Sequence, residues 1–408
     1  MKSWFKILIG LILGIIVGLI MGPKAQMFQI FGKAFINLLT MLVVLIIFSS
    51  LVSGICHIND PKKLGRIGFR TISFYVFTTI TAVVIGIVLA KVFKPGVGLS
   101  LSVAESAATS APEMDMKNFF LSLIPSNPFA SFAEGNVLQI IIFAVFLAIA
   151  ITFTKEKGQP LLKVIESVAS TMHTLTHFVM LLAPYGIFAL IASTIGSIGL
   201  KIILPLLEFL LVNYIACFVQ LFVVFVICIR SLAGLKVIPF FKGMKDAILL
   251  AFSTSSSAAT LPVALECTQK HLGISQDISG FVLSLGSTIN MNGAAIGQAV
   301  SAIFIAQAYG IELGMTKIII LVFISLMSAI GAAGISGTGL IMLSLVLGVM
   351  GLPLEGIALV AGVDRLREML SSVINVLGDA VAALIVAKKE KEIDTSVYYK
   401  ATWVDSDI

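Results

Sequence analysis

Charge is what this sequence most lacks. Asp, Glu, Lys and Arg make up 12% of its 408 residues, against roughly 25% in ordinary globular domains. Apolar residues reach 58% and the mean hydropathy is +1.09. A chain so poor in charge cannot dress its surface for water, which excludes a soluble enzyme and leaves lipid as the solvent for most of it. Cysteine is scarce too. Cys56, Cys217, Cys228 and Cys267 show neither C-x-x-C spacing nor a paired framework, so they read as buried thiols. His173 and His177 lie four apart on one helical face, but no carboxylate stands at ligand spacing, so helix packing explains them better than a metal.

The formal net charge of +6 would suggest a nucleic-acid partner in a soluble protein. Here the basic residues gather beside apolar runs, the pattern that sets membrane topology, and no nucleic acid is expected. Lys2 and Lys6 precede the first run, Lys62, Lys63, Arg66 and Arg70 separate the second from the third, and Lys388, Lys389 and Lys391 follow the last. All three groups are expected in the cytoplasm, with both termini. The stretch 96–116 holds Glu105, Glu113 and Asp115 and no Lys or Arg, as an outer loop would.

One membrane helix needs about 20 apolar residues, so the chain has room for eight to ten segments and no soluble domain. Runs at 4–22, 33–56, 71–93, 119–153, 162–197 and 203–232 are each long enough to span. The first has no small-residue cleavage pattern at Gly22-Pro23-Lys24 and is read as a retained helix. The last residues, from Glu392 to Ile408, read as a flexible cytoplasmic end.

After Lys245 the texture changes. Small polar residues and glycines interrupt apolar segments at membrane depth, where freed backbone groups persist only if protein buries them or they line a cavity. Ser253 to Pro262 divides a segment too short on either side to span and predicts the tip of a re-entrant hairpin. Gly331 to Gly339 divides the run 317–348 in the same way and predicts a second. Between them Asn290-Met291-Asn292-Gly293 interrupts a helix over 277–307. Paired interrupted hairpins point to a transporter's midplane site.

A last helix, predicted over 355–387, carries Asp364, Arg365, Arg367, Glu368, Ser371, Ser372, Asn375 and Asp379. Ionisable residues at membrane depth face an interior or an aqueous path. Offsets of 4, 8, 11 and 15 from Asp364 keep Glu368, Ser372, Asn375 and Asp379 on one stripe. Asp379 and Asn375 offer oxygens to a hard cation, and Glu368 can meet a substrate ammonium. Against this stands the bland alternative that Glu368 only pairs with Arg365 or Arg367. A channel would place repeated carbonyls on a symmetry axis, and a serine protease would need a base near Ser255, Ser256 or Ser257, which the hairpin lacks.

At these residues the chain closely resembles the dicarboxylate/amino acid:cation symporter family, which includes the glutamate transporters. The resemblance covers nearly the whole chain and is most specific in S-S-S-A-A-T-L-P at 255–262, N-M-N-G at 290–293, G-A-A-G-I-S-G-T-G at 331–339 and N-V-L-G-D at 375–379. It implies an all-α polytopic membrane protein with eight transmembrane helices, two re-entrant hairpins and an elevator mechanism, assembled as a homotrimer in the cell inner membrane. Residues 1–240 would be mostly scaffold, 241–390 the transport core and 391–408 a tail. It implies no resident cofactor and a transported cation, Na+ or H+.

Carried over by residue, Gly286, Asn290, Asn375 and Asp379 match one family cation site, and Tyr75, Thr78, Thr79, Asn290 and Asn292 a second. Thr288, Ala329, Ile330 and Ala332 match a third, beneath the second hairpin. Ser256, Ser257 and Gly337 would meet a substrate carboxylate, and Glu368, Ser372 and Asn375 the amino group. Departures also count. Ser371 stands where acidic-substrate members place an arginine, Ser255 fills the alternative arginine position, and Ala294 replaces a threonine. Glu368 replaces an aspartate, and Asn292 replaces an aspartate in a cation site. Without a cationic fork, the expected substrate is a neutral amino acid, with Na+ favoured as the coupling ion. The alternative is an H+-coupled glutamate/aspartate or C4-dicarboxylate symporter.

Overall fold

In the computed structural model residues 3–56, 63–99, 124–198, 203–331 and 337–400 are described. The outer loop expected over 96–116 falls almost wholly outside them, as do Ala332 and the side chains of His173 and His177. Among the described residues the protein is all helical, with one isolated bridge between Ile274 and Ile393 as the single β-type contact.

The helices run α1 (Ser3–Met21), α2 (Gln29–Cys56), α3 (Lys63–Phe93), α4 (Pro128–Glu134), α5 (Val137–Thr154), α6 (Gln159–Leu181) and α7 (Ala183–Ile198). Next come α8 (Ile203–Ala233), which contains two π-helical stretches, and α9 (Val237–Gly243). The remainder are α10 (Lys245–Thr254), α11 (Ser257–Glu266), α12 (Gln276–Ile289), α13 (Asn292–Ala308), α14 (Met315–Gly331), α15 (Thr338–Met350), α16 (Ile357–Ala361), α17 (Asp364–Glu390) and α18 (Thr395–Lys400).

Three sequence expectations are corrected. The run 162–197 is two helices, because Pro184 lacks an N–H and starts α7. The run 119–153 is also interrupted: Gly135 takes φ +68° to end α4, and the Asn136 side chain accepts from Gln139 N–H to start α5. The final helix is not continuous from 355, since a turn at Gly362-Val363 separates α16 from α17 and puts Asp364 in the first turn of the long helix.

The chain's end is corrected too. Residues 392–400 are held against the protein: the Asp394 N–H donates to Gly273 carbonyl at 2.7 Å and the Tyr398 hydroxyl to Lys236 carbonyl at 2.6 Å. Tyr398 is completely buried. The Asp394 carboxyl is held below the usual carboxylate range by the Ser396 hydroxyl and by backbone N–H groups at the start of α18. Arg66 and Arg70 both pair with Glu390, so the start of α3 and the end of α17 lie at the same end of the protein.

Helices α12, α13 and α17 form the centre. An 18-residue apolar stretch within each of the spans Gln276–Ala308 and Asp364–Glu390 is 94% buried, whereas the one within Ile203–Ala233 is 39% buried. Around them α10–α11 and α14–α15 are two pairs of consecutive helices packed on each other, interrupted where the sequence predicted; most of the second tip, 332–336, lies outside the described residues.

Candidate substrate and cation site

The first hairpin turns at two serines. Ser255 adopts φ +52°, a left-handed backbone that a non-glycine residue takes at a cost. Its hydroxyl is buried without a hydrogen-bond partner. Ser256 is the N-cap of α11 and accepts from Ala259 N–H at 3.2 Å. Ser257 is buried and accepts from the Asn375 side-chain amide at 3.4 Å, which ties the hairpin tip to α17.

Opposite lies the column on α17. Asn375 Oδ1 accepts from Gly293 N–H at 2.8 Å, at the break between α12 and α13. The Ser371 hydroxyl donates to Gly293 carbonyl at 3.2 Å. Gly293 is required there, because a Cβ would collide with the Ser371 backbone. Ser372 is buried beside them and Ala294 is half-buried. Glu368 accepts from Gly337 N–H at 3.1 and 3.2 Å, so this carboxylate closes on the start of α15 in the second hairpin. Gly337 was expected to meet a substrate carboxylate; here that N–H faces a protein carboxylate instead.

The arginines correct the sequence reading most sharply. Arg365 and Arg367 fall outside the stripe counted from Asp364, yet both reach its carboxylates. Arg365 donates to Thr254 carbonyl at the first hairpin tip, 2.9 Å away, and lies 3.8 Å from Glu368. Arg367 is 4% exposed. It donates twice to Asp364 Oδ1, at 2.8 and 2.6 Å, and reaches 3.5 Å from the Ser371 hydroxyl. Gly297 on α13 and Gly339 on α15 make room for it: a Cβ at either would strike its guanidinium. The guanidinium therefore sits beside the serine that replaces the expected arginine, one helical turn from it in sequence.

The three expected cation sets fare differently. Asn290 donates its side-chain amide to Asp379 Oδ1 at 2.8 Å, while its own Oδ1 is fully buried with no partner. A Cβ on Gly286 would meet both Asp379 and the Tyr75 hydroxyl, so these groups crowd one small space. A buried carboxylate beside an orphaned carbonyl oxygen suits a small hard cation. The second set is brought together and, Asn290 apart, its side chains are already hydrogen-bonded. The Thr79 hydroxyl donates to Asn292 Oδ1 at 2.7 Å, the Asn292 amide donates to Thr78 at 3.3 Å, and the Tyr75 hydroxyl donates to Val282 carbonyl at 2.8 Å. In the third set, the Thr288 hydroxyl donates to Leu285 carbonyl within its own helix, at 2.9 Å. Ala329 is buried and Ile330 half-buried on α14, and Ala332 lies outside the described residues.

Two buried glutamines escaped the sequence reading. Gln220 donates to Thr78 carbonyl at 3.1 Å, and both polar atoms of Gln298 lack partners. The available signal was a lone amide in an apolar run. Together these groups gather buried polar and charged side chains between the first hairpin tip, the start of α15, the α12–α13 break and α17, an arrangement of the kind a membrane carrier site takes.

The chain belongs to the sodium:dicarboxylate symporter family, whose model matches residues 4–389. It is 38% identical over 370 residues to the proton/sodium-glutamate symport protein of Bacillus subtilis (strain 168), covering 89% of this chain and 86% of that protein. It is 38% identical over 374 residues to the proton/glutamate-aspartate symporter of Escherichia coli (strain K12), covering 89% and 85%. The C4-dicarboxylate transport protein of Laribacter hongkongensis (strain HLHK9) is 32% identical over 401 residues, covering 96% and 90%. The names of these relatives carry acidic substrates and, in two of the three, protons. The expectation of a neutral amino acid with a Na+ preference finds no support among them, and the alternative reading is closer.

Proposed function

We propose that the protein is a secondary-active symporter of glutamate or aspartate, driven by a proton gradient. The observation that carries this reading is Arg367, a buried guanidinium beside Ser371. A planar cationic fork in a water-poor site is suited to a carboxylate. Arg365 adds a second positive charge at the first hairpin tip. Glu368, the acceptor on the same stripe, would take the substrate's ammonium group, releasing Gly337 to the substrate's α-carboxylate with Ser256 and Ser257. The relatives' names support the acidic class and the proton.

Two buried carboxyls, Glu368 and Asp379, are the candidate proton carriers, and Asn292 supports protons because its cation set has lost a charge and is internally hydrogen-bonded. A specific observation favours a second reading, in which Na+ occupies the Asp379 site: the unpartnered Asn290 oxygen. The further expectations of a homotrimer, an elevator movement of 241–390 against a scaffold, cytoplasmic termini and an inner-membrane location remain part of this proposal.

Uptake of radiolabelled glutamate into proteoliposomes tests it, with imposed H+ and Na+ gradients in separate runs. Unlabelled aspartate and glutamate are expected to compete strongly, and serine and alanine weakly. Equal competition by serine would overturn the acidic reading.

A further inference from the structure

Away from this site, the open end of the first hairpin gathers three side chains of ligand type. Asp246 is the second residue of α10, the first arm. Cys267 and His271 belong to the π-helical turn Cys267–His271 that directly follows α11, the second arm. One ligand atom from each lies within 4.8 Å of the others. Three protein ligands held about 2.0–2.3 Å from one ion stand roughly 3.3–3.8 Å apart, so small side-chain rotations complete the geometry.

Each ligand is prepared by its surroundings. The Cys267 sulfur is 1% exposed and receives the backbone N–H groups of Asp246 and Ala247. Those are two of the first-turn donors of α10 that have no partner within the helix, so the sulfur is held beside the start of α10. His271 Nδ1 lies 3.1 Å from Gly243 carbonyl. As the donor in that contact it leaves Nε2 bare, the arrangement by which a second interaction orients a metal-bound imidazole. Gly243 permits the approach, since a Cβ would stand 2.6 Å from the Leu272 side chain and 3.3 Å from His271 Cβ. Asp246 and His271 both reach the surface and give an ion a way in.

We infer that Asp246, Cys267 and His271 bind a zinc-class divalent cation. Thiolate, imidazole and carboxylate together select this class over Mg2+ or Ca2+, with water completing a tetrahedron. Bound there, the ion ties the two arms of the first hairpin together at the end opposite its serine tip. The site lies beside the chain's end, where the Asp394 N–H donates to Gly273 carbonyl. It is independent of the transport assignment. It also revises the sequence reading of Cys267 as an inert buried thiol.

The test uses the full-length protein, stripped of metal in detergent under reducing conditions. Titration with Zn2+ against a chromophoric chelator is expected to give one site per chain, and Co2+ a thiolate-to-metal charge-transfer band. C267S should lose the band, while C228S keeps it. D246N and H271Q should each weaken Zn2+ binding by at least ~10-fold. Thermal melting reports whether each variant is folded, and if C267S is not, the two half-buried positions decide. Absence of saturable Zn2+ binding in the wild type, a band that survives C267S, or unchanged affinity in folded D246N and H271Q would each overturn the site.

Discussion

Helix α8 and the broken α12–α13 pair invert the rule that the most apolar segment is the most buried. An 18-residue stretch of Ile203–Ala233 has a mean hydropathy of 2.5 and is 39% buried, while one of Gln276–Ala308 has 1.3 and is 94% buried. In lipid, an apolar face needs no partner, so α8 leaves Leu204, Leu211 and Phe222 exposed. Polar groups and freed backbone need partners, and α12–α13 finds them in α3 and α17.

That contrast can be broken or sharpened in order of expected effect. D364A removes the partner of a buried guanidinium and should destabilise the protein by about 3–5 kcal/mol, seen as a lower melting temperature in detergent. The double change D364A with R367M removes both charges and should restore most of that stability while leaving acidic-substrate uptake lost. Recovery of uptake in the double variant would detach Arg367 from substrate binding. G293A, which forces a Cβ into the Ser371 backbone, should cost about 1–3 kcal/mol and weaken substrate binding, whereas wild-type affinity would show that the break tolerates a side chain.

S256A removes an N-cap and should cost about 1 kcal/mol, with a rise in KM for uptake. R66A, by contrast, touches a pair whose arginine is largely exposed. Its melting temperature should move little, because such pairs contribute about 0–1 kcal/mol. Substitution of lipid-facing Phe222 by Leu should change neither stability nor transport; a loss of uptake there would mark an interface that the single chain does not display.

Much of the centre was legible in the sequence because broken helices at membrane depth have few physical explanations. The helix interruptions at 255–256 and after Gly331, the break at Asn290-Met291-Asn292-Gly293 and the stripe on α17 lie where the patterns placed them. The arginines were misread because the stripe was counted in offsets of 4, 8, 11 and 15 from Asp364. Arg367 is three residues from Asp364 and four from Ser371, which are also helical neighbours. Its long side chain then fills space left by Gly297 and Gly339, which sit far away in sequence. Residues 392–400 were misread because burial of Tyr398 goes with its hydrogen bond to Lys236, a tertiary partner that local polarity does not announce. Splitting of the run 162–197 was available from Pro184, whose effect on a helix is local.

The most direct test of the central claim is the internal pH of sealed, Na+-free proteoliposomes, followed with an entrapped dye after aspartate is added outside. Proton-coupled symport predicts acidification that tracks substrate uptake and is abolished in D379N. Uptake without acidification, restored only by external Na+, would contradict the proton and give the Asp379 site to sodium.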